Sequence, residues 1–179
     1  MEFSYSLKIP KERVAVLIGQ KGSVKKELEE ECHAQIEVDS REGEVVVSGE
    51  DSVQLYALKE VVHAIARGFH PDVAKLLLRQ DFAFELISIA DYAKEKNQVV
   101  RVRGRVIGAG GKARRTIEEL TETHVMVYGK TVGIIGRVED VPIAKRAVES
   151  LLEGSTHAAV YRWLEKHRRI ARREALKDW

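Results

Sequence analysis

The feature that most constrains this chain is an internal repetition. Ile18-Gly19-Gln20-Lys21-Gly22 and Ile107-Gly108-Ala109-Gly110-Gly111 are both Gly-x-x-Gly turns set between amphipathic stretches. A helical stretch, Ser23 to His33, and an alternating strand, Ala34 to Val38, follow the first turn. Lys112 to Glu122 and Thr123 to Val127 follow the second. Gly19 lies 19 positions before Val38, as Gly108 does before Val127, so the repeat has an offset of 89 residues. Gly49 trails Gly19 by 30 positions and Gly136 trails Gly108 by 28, the difference that one shorter loop makes. Such self-similarity calls for two copies of one module rather than one fold of 179 residues. Each copy is long enough for a small core of its own.

Charge separates the copies. Residues 1–70 hold 9 Lys and Arg against 13 Asp and Glu, a net of −4; residues 71–179 hold 21 against 15, a net of +6. The second half is therefore the better place for phosphate contacts. The acidic run Glu27-Leu28-Glu29-Glu30-Glu31 reads as a solvated helix face. Cys32 is the only cysteine, so no internal disulfide is possible, and a reducing cytoplasm is the simplest reading. Phe82 to Ala90 is broken by Glu85 and far too short to span a bilayer. The first residues have no basic start and no apolar run, and so read as no signal peptide. Asn97 is the only asparagine and charge is abundant, a pattern associated with thermophiles.

Taken in order, Phe3, Tyr5, Leu7 and Ile9 alternate as a half-buried strand. Pro10 ends it and leads into a helix carrying Val14, Leu17 and Ile18. Val24, Leu28 and Cys32 share a stripe of the next helix; Cys32 reads as a core residue, since no base accompanies it. Ile36 and Val38 make one strand face, Arg41-Glu42-Gly43 a turn, and Val45-Val46-Val47 another strand. Asp51-Ser52 caps a helix running toward Gly68. The order is β-α-α-β-β-α. Pro71 opens a connecting helix, and Phe82 to Ile89 begins the second copy as a strand. Val99 to Ile107 fits strand or helix; the repeat decides for helix. Val132 to Gly136 is the third strand, and Asp140-Val141-Pro142 starts the last module helix. The predicted bounds are 1–70 for the first module, 71–81 for the connecting helix and 82–154 for the second module. Residues 155–179 form a basic amphipathic helix with seven basic and three acidic residues. Its apolar stripe is Val160, Trp163, Leu164, His167, Ile170 and Ala171.

Glycines let a backbone turn sharply and let a phosphate approach with no Cβ in the way. The following helix aims its free N–H groups and its dipole at that phosphate. A strand and loop then wall a groove that holds about four unpaired nucleotides. This order and turn resemble the KH domain in its eukaryotic, type I arrangement: an α+β fold with a three-stranded antiparallel sheet and helices on one face. The resemblance rests on Val16 to Gly22 with Ile36 and Val38, and on Val106 to Gly111 with Ile117, Val125 and Val127. Two rival motifs fail. A dinucleotide fingerprint at Gly108 lacks an acid at the end of the next strand, and a P-loop would need a glycine where Val106 stands and Ser or Thr where Ala113 stands. The histidines show no metal-ligand spacing and no nucleophile is paired with a base. The reading is of a protein that is not an enzyme and needs no cofactor.

Arg105 to Glu118, continuing through Thr121-Glu122-Thr123-His124-Val125, is similar to the KH region of ribosome-assembly factors of the partner-of-Nob family, also described as dimethylase-interacting proteins. Ala158, Val160 and Tyr161 fit as well, and the tandem arrangement resembles archaeal members. The resemblance implies binding of single-stranded RNA near the 3′ end of small-subunit rRNA. It also implies partners such as a Nob-type nuclease, the rRNA dimethylase and the alpha subunit of translation initiation factor two. On this reading Gly108, Ala109, Gly110 and Gly111 clamp the RNA backbone. Arg101, Arg103 and Arg105 before the turn and Lys112, Arg114 and Arg115 after it add phosphate contacts, and Ile107 with Val125 supports the bases. Eukaryotic relatives have a degenerate first module, whereas this chain keeps Gly19, Gln20, Lys21 and Gly22 as a second candidate RNA-binding turn, one expected to bind RNA weakly. Its acidic surroundings favour protein docking there over RNA binding. Two alternatives stay open: an interaction scaffold that recruits the initiation factor with RNA secondary, and a KH subunit of an RNA-degrading complex.

Overall fold

The computed structural model describes residues 1–179. The chain divides into two compact units, Met1–Phe82 and Ala83–Trp179. In the first, β1 (Phe3–Lys8), α1 (Lys11–Ile18), α2 (Ser23–Cys32), β2 (Ala34–Asp39), β3 (Glu44–Gly49) and α3 (Ser52–Ala66) follow the predicted order. The strands form an antiparallel sheet in the order β1-β3-β2, with Tyr5 opposite Val47 and Val47 opposite Ile36. Ile36, Val45 and Val47 are fully or nearly fully buried beneath Leu17, Leu28, Leu55, Leu58 and Ile65 of the helices. The alternation of Ile36 with Gln35 and Glu37 fixes the register, because a slip of one residue would turn Ile36 to water and its two polar neighbours inward. Asp51 starts α3: its Oδ1 accepts from the amides of Val53 at 2.9 Å and Gln54 at 3.1 Å.

The connecting segment folds back onto this first unit. It forms α4 (Pro71–Ala74) and a 3-10 turn, Lys75–Leu78, that buries Ala74 and Leu77. The Lys75 ammonium pairs with the Glu27 carboxylate on α2.

The second unit repeats the plan with β4 (Phe82–Ser88), α5 (Lys96–Ile107), α6 (Lys112–Thr121), β5 (His124–Tyr128), β6 (Thr131–Arg137) and α7 (Val141–Glu153). Its sheet order, β4-β6-β5, matches the first. The repetition reaches individual hydrogen bonds. The amide of Ile9 donates to the carbonyl of Gly43, and that of Ile89 to Lys130, each at 2.8 Å, locking the end of the first strand to the hairpin loop. Glu29 accepts from the amide of Ile36 at 2.9 Å, and Glu118 from that of Val125 at 3.1 Å, tying the second helix to the strand that follows. Each of those glutamates is held by a cation one turn earlier, Lys25 at 3.2 Å and Arg114 at 2.7 Å. The non-glycine residues with positive φ also fall on repeat positions. His33 (φ 48°) and Glu122 (φ 53°) end the second helices, and Lys21 (φ 53°) stands where the other copy has Gly110 (φ 59°).

The copies differ in three places. The hairpin between the last two strands has four loop residues in the first unit, 40–43, and two in the second, Gly129 and Lys130. That is the shorter loop expected from the glycine spacing. Helix α5 has 12 residues against 8 in α1, beginning at Lys96 rather than at Val99. Finally α8 (His157–Lys177) packs along α6 and α7. Thr156 caps it, its Oγ1 accepting from the amide of Ala159 at 3.2 Å. Val160 and Leu164 are buried, but Ile170 is 45% exposed and Ala171 is exposed. The predicted apolar stripe thus packs only in its first half, because α8 is 21 residues long and outruns the 10 residues of α6 and 13 of α7. No helix of the chain is long and apolar enough to cross a membrane.

Candidate nucleic-acid interface

Both Gly-x-x-Gly segments are tight turns that join the first two helices of a unit with almost the same backbone. Gly19 and Gly108 have φ of 76° and 75°, and Gly22 and Gly111 have φ of 75° and 79°. The first glycine of each is doubly required. A Cβ on Gly108 would lie 2.6 Å from the Ala113 nitrogen, and one on Gly19 would lie 2.5 Å from a Val24 methyl. The turn can close against its own second helix only without a side chain there. A Cβ on Gly110 would meet nothing within 4 Å. Ala109 and Gly110, like Gln20 and Lys21, are exposed, so the middle of each turn is open to a ligand. Helices α2 and α6 start directly behind, with N-terminal dipoles that favour an anion. Ile18 and Ile107 are half-buried beside the turns, and Lys112 is exposed at the first position of α6.

The arginines named from the sequence divide by what they touch. Arg115 Nη1 donates to the Gly110 carbonyl at 2.8 Å, so this cation braces the turn and sits over it. Arg114 is engaged with Glu118, the residue that holds the start of β5. Arg105 Nε donates to the Leu151 carbonyl at 2.9 Å, and its Nη2 donates to the Ser155 carbonyl. Its guanidinium therefore joins α5 to the far end of α7. The first unit makes the same joint with Arg13, whose Nε and Nη2 donate to the carbonyls of Ile65 and Phe69, each at 2.8 Å. Arg105 and Arg114 thus serve the frame of the site. Val125 is 2% exposed and belongs to the core of the second unit, so its side chain is unavailable to a base. It faces inward because the β5 alternation puts Val125 opposite buried Ile134.

Arg103 stands apart from the other arginines before the turn. Its Nε is buried and has no hydrogen-bond partner. The corresponding position of the first unit is Val14, a core residue. An unmet buried donor is costly, and an acceptor brought by a ligand would relieve it. Nothing in residue type or spacing distinguishes Arg103 from Arg101 or Arg105; only packing does.

Cys32 is buried, and burial, with Glu31 nearby, pushes its thiol up to about 11. It is an inert core residue, as its place in the helical stripe suggested.

Two antiparallel α+β modules with this turn between their first helices define a tandem protein of the type I KH class. Comparison with known proteins agrees. A family described as "Eukaryotic type KH-domain (KH-domain type I)", the second domain of PNO1, matches residues 83–169, and the KH domain family matches residues 4–67. The chain is 46% identical to a "KH domain-containing protein" of Methanocaldococcus jannaschii over 97% of its own length and 78% of that protein's. It is 35% identical to the "Pre-rRNA-processing protein pno1" of Aspergillus fumigatus over 65% of this chain. It spans only 47% of that fungal protein's length. Among solved structures, the a/eIF2alpha–aDim2p–rRNA complex of Pyrococcus horikoshii contains a chain 42% identical to this one, with a TM-score of 0.88. That alignment covers 94% of this chain and 95% of the other. The chain belongs to the PNO1/Dim2p family of KH-domain ribosome-assembly factors, in its archaeal form.

Proposed function

We propose that this protein is a non-enzymatic RNA-binding factor for small-subunit assembly, which holds single-stranded rRNA near its 3′ end in the Gly108–Gly111 turn. The carrying observation is the turn itself. Gly108, Gly110 and Gly111 all have positive φ, Ala109 and Gly110 are exposed, and Lys112 and Arg115 lie beside the turn in the first turn of α6. A phosphate fits this arrangement because backbone amides, dipole and cations all favour an anion at one point. The half-buried Ile107 offers an aliphatic support for a base. Arg103 adds a donor whose need a bound acceptor would meet. Relatives named as pre-rRNA-processing proteins, and a structural neighbour crystallised with rRNA, point the same way.

The first module serves as a protein-docking surface. The face of its sheet away from the helices presents Gln35, Glu37 and Asp39 on β2 and Glu44 on β3, and the module carries a net charge of −4. Phosphate is repelled from such a field, whereas a basic protein surface is attracted. The alpha subunit of initiation factor two is the partner this reading names, since the neighbouring complex contains it. A Nob-type nuclease and the rRNA dimethylase remain the further partners that family resemblance supplies.

The test is binding to a single-stranded oligonucleotide copying the 3′ end of small-subunit rRNA. Ala109→Asp/Gly110→Asp is compared with Gln20→Asp/Lys21→Asp. All four positions are exposed, and a Cβ on Gly110 meets nothing within 4 Å; its positive φ of 59° adds a cost of about 1 kcal/mol, so each variant is first checked for folding by circular dichroism. Loss of at least tenfold in affinity for the first variant alone is the expected result. Comparable losses in both would make the two modules share one RNA path. No loss in either would remove the RNA reading and leave the scaffold reading, in which the acidic module is the functional site.

A further inference from the structure

Helix α8 carries a second charged feature, separate from the turn. Arg162, Lys166, Arg169, Arg173 and Lys177 follow one another at intervals of four, three, four and four residues. At 3.6 residues per turn they fall within an arc of about 80° and extend over about 22 Å of helix. Val160 and Leu164, which are buried against the module, lie on the opposite side. All five cations are exposed. The acids of this helix, Glu165, Glu174 and Asp178, all fall outside the stripe.

An unbroken line of five is particular to α8. In the other α-helices four cations meet a glutamate one turn on, Lys25 with Glu29, Lys26 with Glu30, Arg114 with Glu118 and Lys145 with Glu149, and cations at this spacing from one another occur only as isolated pairs, Arg101 with Arg105 and Lys112 with Arg115. Along the α8 stripe the residue one turn on is another cation, and none of the five forms an ion pair. Like charges at this spacing destabilise a helix, where opposite charges would support it. Solubility alone does not require such a line, because interspersed signs serve solubility equally well.

The helix starts beside the turn. His157 Nε2 lies 2.7 Å from the Arg105 carbonyl oxygen, one helical turn before Gly108. Farther along, Leu164, His167, Arg168, Ala171 and Arg172 border a cleft of about 270 Å³ with Leu120 and Thr121, which end α6. Helix α8 thus runs from the turn that opens α6 to and past the end of α6.

We propose that the α8 stripe is a second RNA-contacting surface that holds, independently of sequence, the phosphate backbone of the strand extending from the Gly108–Gly111 turn. The stripe contains cations only. It has no aromatic residue to stack on a base and no amide to read one, which confines it to backbone contact. A protein partner would need apolar or aromatic anchors that the stripe lacks. A membrane would need a continuous apolar face; Val160 and Leu164 are covered by the module, and the exposed Ile170 and Leu176 lie on opposite flanks of the stripe, about 120° apart around the helix.

This proposal rests on the RNA-clamp reading of the turn, and the experiment separates the two. The wild type is titrated with a hexanucleotide, enough to fill the turn's groove, and with a hexadecanucleotide of the same 3′ sequence, over a range of salt. The same is done for Lys166→Gln/Arg169→Gln/Arg173→Gln, which keeps good helix formers at exposed positions, and for Arg169→Lys/Arg173→Lys, which keeps the charge. The glutamine variant should bind the longer RNA at least tenfold more weakly. Its log–log salt slope should flatten by about 2, from about 0.7 per lost phosphate contact on a single strand. Its affinity for the hexanucleotide should stay within twofold, and the lysine variant should match the wild type throughout. An unchanged affinity and slope for the longer RNA would overturn the proposal, as would an equal loss for both lengths. If the clamp reading itself is wrong, the hexanucleotide will not distinguish wild type from Ala109→Asp/Gly110→Asp.

Discussion

Glycine, arginine and cysteine carry most of the information at the scale of single residues. Gly108→Ala meets both a positive φ and the Ala113 nitrogen at 2.6 Å. It should lower the stability of the second unit by about 2–4 kcal/mol, read by urea unfolding. Gly110→Ala meets only the positive φ, and should cost about 1 kcal/mol. Both tryptophans, Trp163 and Trp179, belong to the second unit, so indole fluorescence reports that unit selectively. Cys32 provides a pH test. Its thiol stays protonated in the fold up to about 11 against 9.0 ordinarily. The unfolded chain therefore releases a proton first as pH rises. The stabilisation this gives is complete below pH 9 and is lost as pH climbs through 11. Between pH 7 and 10.5 the wild type should lose about 2 kcal/mol more than Cys32→Ala. Equal losses would show that the thiol ionises as freely in the fold as outside it. The turn glycines were legible in the sequence because their spacing recurs. The division of labour among the arginines was not. Arg105, Arg114 and Arg115 lie within eleven positions, and only their partners distinguish a brace of the frame from a cation over the turn.

At the scale of elements, the glutamate clasp between the second helix and the next strand is the most informative joint. Glu118→Ala removes a charge-assisted acceptor from the Val125 amide and the ion-pair partner of Arg114. A loss of about 2 kcal/mol is expected in the Trp163 transition, and a similar loss for Glu29→Ala in the first unit, followed by circular dichroism. Arg105→Ala and Arg114→Ala should lower stability while leaving the salt slope of RNA binding unchanged. Lys112→Ala should do the reverse and flatten the slope by about 0.7. A flattened slope for Arg114→Ala would return that residue to the phosphate-binding set. Element order was readable throughout, and the repeat resolved α5, whose Val100-Arg101-Val102-Arg103 alternates like a strand. The helical answer holds because Val99 and Val106 are buried on one face while Val100 is 62% exposed. The end of the α8 stripe was not readable, since a pattern of apolar residues does not say where the neighbouring helices stop.

At the scale of the molecule, one fold occurs twice with opposite charge. Glu37→Gln/Asp39→Asn/Glu44→Gln neutralises the open face of the first sheet. On the docking reading it should weaken capture of the initiation-factor alpha subunit at least tenfold, measured by titration calorimetry, with RNA affinity unchanged. Equal weakening of RNA binding would contradict the assignment of separate roles. The duplication is plain in the sequence because glycines and apolar positions keep their intervals. It is partly hidden where a contact is kept and its residue is not. Arg13 and Arg105 make the same joint, yet in the repeat Arg13 corresponds to Val102 and Arg105 to Val16. The two positions lie one helical turn apart on the same face. Divergence of the copies therefore moved this fastening along the helix without undoing it. An ancestor bearing both arginines offers a continuous route between the two arrangements, while one bearing neither would leave the first helix untied from the last. Column-by-column comparison of the modules would score the arginine as unconserved. The inheritance lies in the bond, and a hybrid module given either first helix should still fasten.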